Sequence, residues 1–354
     1  MKPSSYDPCL LYTTGDQDCF GITGMQTDDT LTVATPAFST LEEKMLHAAG
    51  FQAKEKQLLT HDNYLEFNGC KIQLQGDRVR ITQKGQLAQL KLVDHKAPDA
   101  AQQFIAQRAR GAYVATICQP EAAYDLSVAA QSSQQPTKEA ITALNKRLAW
   151  QMENPNRGLV YLPISLERAK LYIFTDGSFA NNKDMTSQLG YIIMLGEEIA
   201  RSKEQFQLQG NIVHWSSTKC KRVTRSVLAS ELYGMTTGFD HGFVLATTIA
   251  RIAEVLGQPS IQTIVCTDSK SLYDCLVKLG STTEKRLMID VMSLRESYEA
   301  REITEVCWID GRNNPADAMT KKDPNDAFTK LISTNKATVR IEGYVERRTT
   351  GQPH

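Results

Sequence analysis

Four carboxylates in the second half of the chain stand where a reaction centre can be assembled. Asp176 follows directly on the apolar run 171–175, and Asp268 follows directly on the apolar run 263–267. Both runs read as buried strands. Sites in open α/β sheets form at the carboxyl ends of strands, so two neighbouring strands would send these aspartates into one crevice. Glu231 lies one to two turns into a helical pattern beginning near Arg225, on the stripe of Val227, Leu228 and Met235. It therefore faces the sheet and not the solvent. Asp317 stands at the start of a short helix opened by Pro315, where the helix dipole favours an anion. Carboxylates crowded into a shielded crevice repel one another, and divalent cations relieve that repulsion. Hard oxygen ligands on a rigid frame suit Mg2+, with Mn2+ as a substitute. Two such ions roughly 4 Å apart clamp the attacking and leaving oxygens of an in-line phosphoryl displacement. That chemistry needs no Ser, Cys or His nucleophile, and no convincing triad is found. Taken singly, each acid reads as a turn, a cap or a solvated side chain. The specific signal is the order: acid after strand, acid in helix, acid after strand, acid at a helix start.

These acids need a frame. Strands are expected at 171–175, 190–195 and 211–215, then a long helix at about 225–256, ended by Gly257-Gln258-Pro259. A buried strand at 263–267 follows, with helices at about 269–279 and 283–300, a last strand at 303–309 and the short helix at Pro315. Three antiparallel strands extended by α/β crossovers make a mixed sheet flanked by helices. The first half opens with a strand, turn and strand over 19–35, turning at Gln26-Thr27-Asp28-Asp29. The capping box Ser39-Thr40-Leu41-Glu42 starts a helix at 41–49, closed by Gly50. A hairpin turns at Gly76-Asp77, and residues 83–153 read as helical. The texture changes after Asn154-Pro155-Asn156-Arg157-Gly158, placing a domain boundary near residue 168.

Composition bounds the rest. A chain of 354 residues has a prior of about two domains. Its 41% hydrophobic content and 21 Gly exclude a largely disordered protein. Forty Lys and Arg balance forty Asp and Glu, so a nucleic-acid partner needs a local basic face. Lys219, Lys221, Arg222 and Arg225 form such a run ahead of the Glu231 helix, Arg201 and Lys203 are near enough in sequence to join it, and Lys321 and Lys322 follow Asp317. Flanking phosphates would meet these cations while the scissile phosphate reaches the acids. Trp215, Trp308 and His214 read as structural. Eight Cys without a C-x-x-C pair support neither a zinc ribbon nor a dithiol motif, and fit a reducing compartment. The opening residues have no apolar core, so no secretory signal is expected, and no run is apolar enough to span a membrane.

Thr175-Asp176-Gly177-Ser178, Ala229-Ser230-Glu231-Leu232, Thr267-Asp268-Ser269 and Asn314-Pro315-Ala316-Asp317-Ala318-Met319-Thr320-Lys321 together resemble the ribonuclease H domain of copia-type LTR retrotransposon polyproteins. The Ala-Asp-x-x-Thr-Lys motif and Ser216-Ser217-Thr218-Lys219 are the most diagnostic parts. Ser5-Tyr6-Asp7-Pro8, the Gln26–Asp29 hairpin and Leu65-Glu66-Phe67-Asn68-Gly69 resemble the downstream palm of the same polyproteins' reverse transcriptase. Arg110-Gly111-Ala112-Tyr113 and Gln119-Pro120-Glu121 resemble its thumb and connection. The resemblance covers roughly residues 5–322. It implies an α/β, ribonuclease H-like mixed sheet preceded by a partial α+β palm, thumb and connection region. The corresponding divisions are 1–95, 96–168, 169–322 and a tail over 323–354.

The resemblance further implies endonucleolytic hydrolysis of the RNA strand of RNA/DNA hybrids, leaving 5′-phosphate products. Asp176 would bridge both ions, Asp317 would complete the nucleophile-side ion, and Glu231 with Asp268 would complete the other. Partners are the hybrid and the remainder of a reverse-transcriptase polyprotein, and no membrane. The location is cytoplasmic, in a retroelement particle, or nuclear. Two departures stand out. Gln26 replaces an aromatic residue ahead of the paired Asp28 and Asp29, and the upstream palm aspartate is missing, so the polymerase remnant is expected to be inactive alone. Asp310-Gly311-Arg312 occupies the loop where cellular members of the fold carry a His that helps product release, which implies a slower enzyme or one that leans on metal exchange for release. Two alternatives remain: a non-catalytic nucleic-acid-binding scaffold, and a DNA-strand nuclease of the integrase or resolvase type.

Overall fold

The computed structural model describes residues 1–343 apart from residues 16, 53, 279 and 283. The ends expected for two helices, Leu279 and Thr283, and residues 344–354 of the expected tail lie outside the described residues. No helix among the described residues is long and apolar enough to cross a membrane.

The first half carries two small antiparallel sheets and a helical layer. The first sheet runs β1 (Lys2–Pro3), β2 (Leu10–Tyr12), β3 (Gly21–Gln26), β4 (Asp29–Ala34) in sequence order. Helix α1 (Pro36–Ala48) follows. It begins earlier than the Ser39 capping box predicts. Thr35 accepts the Phe38 N–H at 3.4 Å, and Pro36 sets the first helical turn. The second sheet joins β5 (Leu65–Phe67), β6 (Cys70–Gln75), β7 (Arg78–Gln83) and β8 (Leu159–Tyr161). The expected helical stretch breaks into α2 (Ala100–Ile117), α3 (Ala123–Ala130) and α4 (Lys138–Glu153). These pack around a core of Phe104, Val114, Leu126, Leu144 and Leu148.

The second half is the expected mixed sheet. Its strands are β9 (Lys170–Ser178), β10 (Gln188–Arg201), β11 (Gln205–Lys219), β12 (Gln262–Thr267) and β13 (Glu305–Ile309). β9 pairs antiparallel with β10 and β10 with β11, while β12 runs parallel to both β9 and β13. β9 is central and buried on both faces, which explains its unbroken apolar run. Leu171 and Ile173 face a core under helix α5 (Val227–Val255), helix α6 (Lys270–Val277) and helix α7 (Met288–Glu299). Tyr172 and Phe174 face a second core on the other side.

That second core corrects the expected tail. Residues 327–343 form helix α8 (Ala327–Thr334) and strand β14 (Lys336–Gly343). Phe328, Leu331, Val339 and Ile341 are buried against Phe206 and Leu208. β14 pairs antiparallel with β11 over five residue pairs and with the end of β13, so the strands close into a ring. β13 is therefore not the last strand.

Candidate active site

Register places the first two acids. Cys266 of β12 is paired with Phe174 of β9 in a parallel ladder. Two residues further along stand Asp268, just past the end of β12, and Asp176, still within β9 but beyond the ladder the two strands share, level with one another. The helix supplies the third. Ser226 caps α5 by accepting the Ala229 N–H at 3.2 Å, which fixes where the helix starts and puts Glu231 on its inner face. Glycines let that face approach. A Cβ on Gly234 would lie 2.7 Å from the Asp176 carbonyl oxygen, and one on Gly238 would lie 2.8 Å from Thr175 Cγ2. Gly177 meets the Ser230 carbonyl in the same way. The Gly234, Gly238, Gly242 spacing was visible in the sequence as a four-residue repeat on one helix face and marks this close contact.

The outcome is a cluster. One carboxylate oxygen from each of Asp176, Glu231 and Asp268 lies within 4.8 Å of the other two. They line an open cleft of about 690 Å3 with Phe179, Val227 and Lys321. Burial raises all three carboxyl pKa values. Mutual repulsion adds to the rise at Glu231 and at Asp268, the latter pushed up to about 6. Glu231 Oε2 is buried with no hydrogen-bond partner. Three converging carboxyl groups, one of them with a buried oxygen left unpaired, are the hard-oxygen donor set a divalent cation takes.

Asp317 behaves differently. It is buried at the start of the 3-10 helix Pro315–Met319. One carboxylate oxygen pairs with Lys321, and the other accepts the Asn325 N–H at 2.8 Å. Lys321 Nζ also lies 4.0 Å from Asp176 Oδ2, and Thr320 donates its hydroxyl to that same oxygen. Lys321 thus stands between Asp176 and Asp317 in place of direct carboxylate convergence. Sequence reasoning placed Lys321 on nucleic-acid phosphates and passed over Thr320 and Asn325. The four-residue spacing of Asp317 and Lys321 was the signal available.

Asp268 has further support. Trp308 donates its indole N–H to the Asp268 carbonyl at 3.2 Å. The 310–313 loop lies against its carboxylate, since a Cβ on Gly311 would stand 2.9 Å from Asp268 Oδ2. Asp310 caps this loop and pairs with Arg312, which holds its carboxyl down at about 2.

The basic run is scattered in its contacts. Lys219 pairs with Asp184, and Arg222 pairs with Asp290 while lying 4.8 Å over the Tyr233 ring. Lys221 and Arg225 are exposed. Arg201 is at the far end of β10, bound to Glu198 and Glu305, so it does not join them. His214 is partly buried in a ring cluster with Tyr191, which is buried, His241, which is partly buried, and the exposed Tyr6. Asp28 and Asp29 are exposed at the β3–β4 turn. Among the described residues they belong to no cluster of three groups able to hold a metal.

A pH effect follows from the raised carboxyls. For Asp268, folding is favoured by the neutral acid. That contribution is complete below the unfolded value of 3.8 and is lost as pH rises through about 6. With chelator present, the protein should lose stability between pH 4 and 7, and Asp268→Asn should remove part of that loss. The gain at pH 7 should be up to about 3 kcal/mol. Thermal unfolding against pH checks this, and identical profiles for the two proteins would contradict it.

No family profile matches the chain. It is 24% identical over 215 residues to the retrovirus-related Pol polyprotein from transposon RE1 of Arabidopsis thaliana, covering 60% of this chain and 13% of that protein. It is 25% identical over 194 residues to the transposon Ty1-ER2 Gag-Pol polyprotein of Saccharomyces cerevisiae, covering 54% of this chain and 9% of that protein. The chain thus spans a small part of the length of these relatives. Among solved structures, the RNase H1 of the halophilic archaeon Halobacterium salinarum aligns with a TM-score of 0.28 and 14% identity, over 46% of this chain and 98% of that one. The chain is a homologue of the Ty1/copia-type retrotransposon Gag-Pol polyproteins.

Proposed function

We propose that this chain is a ribonuclease H that cuts the RNA strand of RNA/DNA hybrids, acting as the nuclease portion of a retrotransposon reverse transcriptase. The observation that carries this reading is the convergence of Asp176, Glu231 and Asp268 where the parallel ladder of β9 and β12 ends beneath α5, with Glu231 Oε2 left unpaired. Asp176, Glu231 and Asp268 would hold a divalent ion, Mg2+ in the first instance. Asp317 would serve a second ion once Lys321 moves off it. Bound there, such ions lower the pKa of a water and stabilise charge on the leaving oxygen.

The chain's own groups do the rest. The Thr320 hydroxyl fixes Asp176 Oδ2. Trp308 and the Gly311 loop fix Asp268 from behind. Lys321 offsets the charge of Asp176 and Asp317 and offers an ammonium to an incoming phosphate. Recognition of the RNA strand falls to 2′-hydroxyl and minor-groove contacts at the cleft rim, where Phe179 and Val227 are exposed.

A hybrid labelled on the RNA strand and incubated with the full chain tests this. Mg2+-dependent products ending in 5′-phosphate are expected, with none in chelator. Cutting of duplex DNA with the hybrid left intact would move the assignment to the integrase or resolvase type. Binding without any cutting would leave the scaffold alternative.

A further inference from the structure

Asp317 is held by two groups that are themselves held very differently. Its Oδ1 pairs with Lys321, whose Nζ also lies 4.0 Å from Asp176 Oδ2, so Oδ1 is the oxygen on the side of the cluster. Lys321 is a flexible side chain, 42% exposed, and can swing away. Oδ2 accepts the backbone N–H of Asn325 at 2.8 Å. A backbone donor has no rotamer to change, so Oδ2 stays where the chain at residue 325 puts it.

The Asn325 side chain decides where that is. Residues 321–326 belong to no helix or strand, so no ladder of hydrogen bonds places them. Asn325 donates both hydrogens of its amide, to the Gly311 carbonyl at 2.8 Å and to the Asn314 carbonyl at 3.0 Å. Its Oδ1 accepts the Ala327 N–H at 2.9 Å, at the start of α8. Each of these contacts leads to an acid. Gly311 is the loop residue that lies against the Asp268 carboxylate. Asn314 donates to the Thr175 carbonyl at 3.0 Å, one residue before Asp176. A single side chain thus sets Asp317, the loop behind Asp268 and the strand end at Asp176 in one frame. α8 fastens that frame to the core through Phe328, Leu331 and Ile332.

Asn335, at the far end of α8, is the natural comparison. It also donates its amide to two carbonyls, those of Val160 at 2.7 Å and Gly210 at 3.0 Å. These carbonyls belong to β8 and β11, and neither residue adjoins one of the four acids in the sequence. The two asparagines make matched bonds, and only one of them faces the site.

We propose that Asn325 is the positioning residue for Asp317, anchoring Oδ2 so that Oδ1 alone turns to a cation when Lys321 leaves. The inference rests on the nuclease reading. A carboxylate binds cations through one oxygen or both, and the anchor fixes which one is offered. Hydrogen bonds to ligating carboxylates are commonly worth about 10–100-fold in metal affinity or activity.

The test compares the full chain with Asn325→Ala, Asn325→Asp and Asn335→Gly. The aspartate keeps the acceptor for the Ala327 N–H and loses only the two donated bonds. The glycine removes two matched bonds at a position already in the left-handed region, with φ 55°. Hydrogen exchange in chelator, read by mass spectrometry, should quicken across residues 310–325 in both Asn325 variants and stay at the wild-type rate there in Asn335→Gly. Hybrid cleavage across a Mg2+ series should show the half-saturating Mg2+ raised about 10–100-fold in the Asn325 variants, with the KM for hybrid near wild type. Asn335→Gly should melt lower yet keep the wild-type Mg2+ dependence. A wild-type Mg2+ dependence in both Asn325 variants overturns the proposal, as does an equal shift in Asn335→Gly or an unchanged exchange rate over 310–325. Absence of cleavage in every protein, with exchange quickened in the Asn325 variants alone, sinks the nuclease reading and leaves the anchoring of Asp317 standing.

Discussion

Asp176→Asn should remove hybrid cleavage, with kcat falling by at least ~10³-fold, while the protein stays folded. The substitution keeps shape and size at a position only 2% exposed, so little repacking is asked of the core. The Thr320 hydroxyl can still donate to the amide oxygen. What is lost is one charge of the three that converge, and with it the donor shared between the Glu231 side and the Lys321 side of the cleft. A second consequence separates this from simple damage. Glu231 and Asp268 are both held up by the Asp176 charge as well as by burial. Without that charge the cluster is less repulsive, so the variant should melt no lower than wild type in chelator and should gain less from added Mg2+. Cleavage within tenfold of wild type would remove Asp176 from the centre. A melting point that drops by many degrees would mean that the residue serves the fold.

Gly177→Ala should have the largest effect on the fold itself. A methyl group here would run into the Ser230 carbonyl and the Glu231 amide nitrogen, both backbone atoms of α5. Neither can step aside without moving the helix, and α5 is held from the same side by Gly234 against the Asp176 carbonyl. Overpacking at such a contact costs about 1–3 kcal/mol, and more when only backbone can yield. If the helix moves outward instead, Glu231 leaves the cluster and cleavage falls with it. Gly15→Ala is the comparison, since nothing lies within 4 Å of the added methyl. Urea unfolding together with hybrid cleavage reads both outcomes. Wild-type stability and activity in Gly177→Ala would mean that the helix and strand are less tightly joined than this geometry requires.

How much of this was legible in the sequence depended on how each element is buried. β9 and β12 are covered on both faces, so their side chains form apolar runs that end abruptly at an acid. Glu231 was legible because a charged residue on an apolar helix stripe has few places to go. The strands themselves are longer than their apolar cores: β10 and β11 extend through polar residues to Arg201 and Lys219, where ladder hydrogen bonds hold without burial. β14 was missed for a related reason. Only Val339 and Ile341 of Lys336–Gly343 are buried, and the alternating charges read as a solvated tail until β11 and β13 are there to pair with it. Asp317 was placed correctly at a helix start. Its engagement by Lys321 and Asn325 depends on a turn four to eight residues later that local patterning does not fix.

The ring made by β14 bears on how this protein behaves in concentrated solution. With β11 and β13 both satisfied along part of their outer sides, that layer offers little template on which a foreign strand could add. A protein shortened before Lys336 would keep its acids yet bare two rims together with Phe206 and Leu208, and precipitation, rather than lost chemistry, would be the first symptom.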